Sequence, residues 1–305
     1  MNALASVVFV ALVLLVATYL VAVIDATIMI RVSRGRGYTG VWMDPIARAA
    51  RLMMQRGSRT ERPDLQVWFL APALLAGLGA VALASIPVAA AVHVADNGAG
   101  IVLFGAAMLQ VMVAVFLHGW AANSVFPMLG AFRMAAAGMS MSIPFSLALI
   151  TTALPAESLS VGAIIVSQEG LWNVVRQPLG LPVYLITALA FSFWGPMQLP
   201  DAADLAGGTT AEISGVALLV WRVARIGVLV ALSAMGAAAF LGGYLGPVLP
   251  GWLWMMVKTA GLATVMVWSG HHFARMRIES VVFLGWTLLL PIALVDVFLS
   301  GALTL

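Results

Sequence analysis

The sequence contains no cysteine, a single lysine, Lys258, and few charged side chains, 9% of 305 residues. Without cysteine the chain forms no disulfide, carries no thiolate nucleophile and cannot itself ligate a cysteine-bound iron–sulfur cluster. Its four histidines do not make up the loss. His271 and His272 are adjacent, too close to hold a haem between two spans, and His93 and His118 flank one apolar run and so fall at opposite membrane faces. The carboxylates and histidines are not at metal-ligand spacing, so neither haem nor metal is expected. No internal repeat stands out, which argues against a transporter assembled from inverted halves.

What remains is apolar. Hydrophobic residues make up 63% of the chain, a composition solvated by lipid rather than water. The runs Ala3 to Ile30 and Trp68 to Val92 exceed the roughly 20 residues needed to cross about 30 Å of hydrocarbon. The first lacks a basic segment ahead of it and outlasts a signal-peptide core, so it reads as an uncleaved helix. Further spans are expected at Gly100 to Leu117, Met128 to Leu154, Pro182 to Trp194, Val216 to Leu241, Trp252 to Ser269 and Val281 to Leu299. The expectation is an all-α integral membrane protein of about eight transmembrane helices in a single membrane domain, 1–305. Its parts are a first span at 3–30, a basic loop at 31–66 and seven further spans over 68–302.

Charge orients the bundle. Eight of the fifteen basic residues, Arg31, Arg34, Arg36, Arg48, Arg51, Arg56, Arg59 and Arg62, crowd into the loop after the first span. The loops after the odd spans also hold Arg133, Arg275 and Arg277, whereas the opposite loops hold only Arg176. The positive-inside rule makes the first set cytoplasmic and puts both termini on the other side. The basic loop lacks regularly spaced aromatics for stacking on bases, so nucleic acid is a poor partner. Anionic headgroups of membrane lipids, or an acidic protein surface, fit better. Within the loop, Asp44-Pro45 reads as an N-cap followed by proline at the first helical position. An amphipathic helix over 45–56 should follow, with Arg48, Arg51 and Gln55 on one stripe and Ile46, Ala50 and Met53 on another. A solvated loop helix and a partner-binding helix both satisfy that pattern.

Four stretches give the chain a family resemblance. They are Gly119-Trp120-Ala121-Ala122-Asn123-Ser124 with Leu129 to Arg133; Pro196 to Ala202 leading into Glu212-Ile213-Ser214-Gly215; Phe240-Leu241-Gly242-Gly243 with Trp254 and Lys258; and Arg275 to Glu279 with Gly285-Trp286 and Leu289-Leu290-Pro291. Gly35 to Gly40 with Asp44-Pro45-Ile46 adds a fainter match. In this order and spacing they resemble the H subunit of the bacterial NADH-quinone oxidoreductase, which forms the heel of respiratory complex I and has relatives in membrane-bound hydrogenases. The resemblance implies an eight-span protein of the bacterial cytoplasmic (inner) membrane that joins a peripheral arm to a proton-pumping membrane arm. Its partners would be iron–sulfur and large peripheral-arm subunits and antiporter-like membrane subunits. The chain would bind no cofactor alone, with a quinone possible in a cavity it helps to form and iron–sulfur clusters in the partners. With no redox centre of its own, it would be part of an enzyme rather than one by itself.

Against that family pattern the chain departs at charged positions. The family's tyrosine–glutamate pair falls on Met141 and Ser142, its loop aspartate on Gln198, one loop glutamate near Ala203, and a span glutamate on Arg225. The resemblance therefore implies a carboxylate proton relay that is largely lost, since a hydroxyl, an amide and a guanidinium do not exchange protons readily near neutral pH. The candidates for a quinone cavity or for coupling are Asp25, Arg36, Gln198, Asp201, Asp204, Glu212, Arg222, Arg225 and Lys258. Those for docking the peripheral arm are Arg34, Arg36, Arg48, Arg51, Arg133, Arg275, Arg277 and Glu279. Arg222 and Arg225 share a helix stripe. They either snorkel together to headgroups, or face an inward cavity and pair with Asp201, Asp204, Glu212 or a partner's acid, or bind an anion. Lys258 reads as an ion-pathway or ion-pair residue, or as a snorkelling one. Asp25 can line a quinone entrance, and Asp296 reads as interfacial. The alternative overall reading is a non-redox scaffold in an ion-translocating or inorganic-carbon-handling complex.

Overall fold

The computed structural model describes residues 3–34, 40–90, 94, 98–201 and 207–304, with the side chains of 3, 4, 34, 303 and 304 left aside. Among these residues the chain is helical and has no β-strand. The long elements are α1 (Ala3–Arg34), α3 (Leu65–Ala84), α4 (Gly100–Ala121), α5 (Val125–Ala153), α9 (Gly215–Phe240) and α10 (Gly251–His272). The short ones are α2 (Asp44–Met54), α6 (Val161–Val166), α7 (Asn173–Arg176) and α8 (Gly180–Phe191). A last helix is built of α11 (Ile278–Phe283), a π-turn (Leu284–Leu289) and α12 (Leu290–Thr304).

Among the described residues six helices are long and apolar enough to cross a membrane: α1, α3, α4, α5, α9 and the last, composite helix. Two of the eight expected spans fall outside that set. α8 has 12 residues, only about 18 Å at 1.5 Å per residue, because Gly180 and the turn at Ser192 cut the apolar run at both ends. α10 has 22 residues, but its tryptophans, lysine and two histidines dilute its hydropathy.

α9 is the centre of the bundle. From Gly227 to Phe240 every residue is buried, the behaviour of a helix apolar all round. Its Gly and Ala positions let α3, α8 and α10 approach closely. The final helix leans on α5 through its π-turn: a Cβ on Gly285 would stand 2.7 Å from the Ser140 carbonyl oxygen, so only glycine permits this approach.

α2 lies where the amphipathic pattern put it, with Trp42, Met43, Ile46, Met53 and Met54 exposed. The capping expectation fails. A 3₁₀ turn over Val41–Met43 runs directly into α2, so Met43 takes the cap position and Asp44 is the first helical residue. The Asp44 carboxylate instead pairs with Arg48 one turn on, at 2.5 Å. The N-cap role expected there is played at α3 by Asp64, which accepts from the Gln66 and Val67 amides.

Candidate functional site

Four loops meet at one end of the bundle; they carry the first two resemblance motifs and the Arg275 to Glu279 stretch, whereas Phe240 to Gly243 with Lys258 lies at the other end. Ser214 Oγ accepts from the Ser58 amide and donates to the Arg56 carbonyl, fastening the start of α9 to the segment after α2. Asn123 adopts a left-handed backbone (φ 48) and reaches the Arg62 carbonyl at 3.4 Å, a conformation that asparagine tolerates better than most residues. Ser124 donates to Glu212, and Arg133 donates to the Gly207 carbonyl at 2.9 Å. The Met276 amide donates to the Pro196 carbonyl at 2.9 Å. Gly195 (φ +58) presses on Gly270, with a would-be Cβ 3.0 Å from its backbone. Gly130 is the seat of the Pro200 to Thr209 loop: a Cβ there would lie 2.6 Å from both the Pro200 oxygen and the Thr209 nitrogen.

Beneath these loops lies a buried ion pair. Arg225 Nη1 is 2.7 Å from Asp201 Oδ2, both side chains being under a tenth exposed. Arg225 Nη2 donates to the Phe193 carbonyl at 2.6 Å and Nε to the Ser192 carbonyl at 3.4 Å. The guanidinium also stands over the rings of Phe193 and Trp194, 4.9 and 4.5 Å from their centroids. Asp201 is held in turn by the Thr210 hydroxyl, and its backbone carbonyl accepts from Gln198 Nε2 at 3.1 Å. Phe193 has φ 40, a left-handed conformation costing roughly 1–3 kcal/mol for a bulky residue. The strained turn aims its carbonyl at Arg225.

The two arginines of α9 therefore part company. Arg225 is buried and paired, whereas Arg222 is exposed, so the stripe they share does not put both toward an inward cavity. Arg222 and Asp25 remain close enough to act electrostatically on Arg225. Asp25 on α1 pairs with His271 Nε2 of α10 at 2.8 Å. Alongside, α1, α3 and α9 enclose an apolar cleft of about 260 Å³, lined by Leu14, Leu15 and Thr18 of α1, Ala76 of α3 and Leu219, Val220, Val223 and Ala224 of α9.

Lys258 lies at the opposite end. Its ammonium donates to the Leu241 and Leu245 carbonyls, at 2.6 and 2.7 Å, and stands 4.3 Å from the Trp172 ring centroid. No carboxylate lies within ion-pair distance of it among the described residues, so the expected ion pair is replaced by a cap on the carbonyls ending α9, where a cation also suits the helix dipole. Of the docking candidates, Arg51, Arg275, Arg277 and Glu279 are exposed, Arg48 is tied to Asp44, and Arg133 is partly buried under its loop. The Arg34 side chain, Arg36, Asp204 and His93 lie outside the described residues.

Comparison with known proteins settles the family. The model described as NADH dehydrogenase matches residues 1–301. The chain belongs to the family of NADH-quinone oxidoreductase H subunits. An H subunit of the NADH-quinone oxidoreductase of Syntrophobacter fumaroxidans is 30% identical over 305 residues, covering 96% of this chain and 92% of the relative. Its counterpart in Geobacter sulfurreducens is 31% identical over 269 residues, 85% and 82% of the two chains. That of Bacillus cytotoxicus is 31% identical over 265 residues, 85% and 79%. Within this member of the family the structure links Gln198, Asp201 and Arg225, ties Glu212 to Ser124 in the adjoining loop, puts Asp25 within electrostatic reach of Arg225, and leaves Lys258 apart.

One neighbour of that region is not among the residues the sequence singles out for it. His118, in the last turn of α4, is buried and stacked on Trp221 at 3.6 Å, with 15° between the ring planes. His118 Nδ1, Trp221 Nε1 and Thr209 Oγ1 are buried without a hydrogen-bond partner among the described residues. A histidine in the last turn of an apolar span, directly before Gly119-Trp120, is the available signal. No group of three or more His, Asp or Glu positioned for a metal occurs among the described residues.

Proposed function

We propose that the chain is the membrane subunit that seats the peripheral electron-transfer arm of a complex I-type NADH-quinone oxidoreductase and forms one wall of a quinone cavity. The observation that carries this reading is the Arg225–Asp201 pair, fixed beneath the joined loops on α9, the helix that also lines the apolar cleft. The cleft suits an isoprenoid tail. Its volume falls a little below the roughly 300 Å³ at which ligand pockets begin, which fits a wall completed by a partner subunit. The partly buried Asp25–His271 pair, with its carboxylate on α1, a helix that also lines the cleft, supplies polar groups for a quinone head.

In this reading α8 and α10 complete an eight-span bundle in the bacterial inner membrane, with the motif loops cytoplasmic and both termini on the other side. Arg34, Arg36, Arg48, Arg51, Arg133, Arg275, Arg277 and Glu279 border the docking face for iron–sulfur and large peripheral subunits. Antiporter-like subunits adjoin the bundle in the membrane. The carboxylate relay is interrupted, because Ser142 spends its hydroxyl on the Met139 carbonyl, Gln198 on the Asp201 backbone, and Arg225 neutralises the one buried acid beside it.

A photoreactive quinone analogue applied to the purified assembly tests the cavity. Label is expected on the α1 segment Leu14 to Thr18 and on the α9 segment Leu219 to Ala224, and excess unlabelled quinone should compete it away. Labelling of this chain only at lipid-facing positions, unaffected by competition, would remove the cleft from consideration.

A further inference from the structure

Asp296 does not sit at an interface as its place near a span end suggested. It is 2% exposed, midway along α12, and its Oδ2 has no hydrogen-bond donor among the described residues. Gly180, the first residue of α8, packs directly on it, a would-be Cβ standing 2.8 Å from Oδ2 and 2.9 Å from the Phe240 ring. Gln177 lies in the turn just ahead of Gly180. Its backbone carbonyl accepts from the Gly180 amide, and its Nε2 donates to the hydroxyl of Ser300, one turn beyond Asp296 on the same face, and to the Thr151 carbonyl. That spends the amide's donor hydrogens and leaves Gln177 Oε1 buried and unpaired, as is Oδ1 of the nearby Asn173.

The unpaired atoms here are all acceptors. A buried acceptor left without a donor is costly, so the cluster calls for a hydrogen or a cation. A hard metal cation gathers about six oxygens, and the Gly180 backbone, so close that a Cβ there would stand 2.8 Å from Oδ2, closes one side of such a shell. A proton needs no room. The elements around the carboxyl group offer no counter-cation within ion-pair distance among the described residues: α5 carries only Arg133, at the opposite end, and on α8 the Tyr184 hydroxyl is spent on the Leu232 carbonyl. Arg176, in α7, donates to the Ser167 carbonyl.

We propose that Asp296 is a proton-binding site, its side chain held as the neutral carboxylic acid and donating through Oδ2 to the Gln177 amide oxygen. The site goes beyond the cavity proposed above and lies at the other end of the bundle. Infrared difference spectroscopy of the assembled complex tests it, with parent minus Asp296→Asn as the difference. The expected result at neutral pH is loss of one carbonyl band of a protonated carboxylic acid, with the carboxylate bands unchanged and the difference identical in sodium and choline chloride. Asp296→Glu should keep such a band at a shifted position, which preserves the test if Asp296→Asn fails to assemble. Loss of carboxylate bands instead would overturn the proposal, since the group would then be ionised. A parent band that shifts with sodium would also overturn it, in favour of a metal cation. Asp296→Asn, which keeps a donor for Gln177, should assemble at parental yield, and Asp296→Leu should not; equal yields of the two would contradict the donor role.

Discussion

Replacing Arg225 with methionine is expected to remove this protein from its assembly. The change strands Asp201 under the loops with no counter-charge and frees the Ser192 and Phe193 carbonyls. Breaking a buried pair by deleting one partner costs about 3–5 kcal/mol, and the strained Phe193 turn loses the contact that holds it. The readout is the amount of chain recovered in the membrane complex and its thermal melting. Arg222→Met, at the exposed position one turn earlier, should change neither. The double variant Arg225→Met with Asp201→Leu should recover most of the loss, because an apolar pair of similar volume often replaces a buried ion pair at little cost. A single variant as stable as the parent would show that the pair does not hold the loops.

The second large effect is expected at Gly130. Alanine there drives a Cβ to within 2.6 Å of two backbone atoms of the loop that carries Asp201. Backbone cannot rotate away as a side chain can, so the loop has to lift. Overpacking of this kind costs about 1–3 kcal/mol and occasionally more. Gly138→Ala is the comparison, since the atom it meets at 2.7 Å is the sulfur of the flexible Met112 side chain. Limited proteolysis should cut Gly130→Ala between 200 and 210 faster than Gly138→Ala or the parent. Equal cleavage in all three would mean that the loop is not seated on Gly130.

The contrast between Arg222 and Arg225 shows where sequence reasoning stops. Long apolar runs fix α1, α3, α4, α5 and α9 almost by themselves, and the basic stripe locates α2, because lipid burial and helical periodicity are local properties of a chain. The Gly, Pro and Asn motifs likewise mark the loops that meet, since they encode backbone shapes such as the left-handed turns at Asn123 and Gly195. Which of two arginines one turn apart points inward depends on what packs around α9, and that is tertiary. The same holds for Lys258, whose partners are main-chain carbonyls with no side-chain signature. Asp296 stands against a glycine more than a hundred residues away, and a span-end position in a string of letters does not reveal its depth. His118 is visible as a lone histidine in an apolar span, yet its stacking on Trp221 of α9 is a tertiary contact that the span does not reveal.

The central claim is that this protein joins a peripheral electron-transfer arm to the membrane, and its joined motif loops are the surface that does so. Purification from native membranes in a mild detergent, with mass spectrometry of everything that travels with the chain, tests that claim most directly. The account predicts stoichiometric recovery of iron–sulfur and large peripheral-arm subunits together with antiporter-like membrane subunits. Recovery with antiporter-like subunits alone, or as a monodisperse single polypeptide, would contradict it.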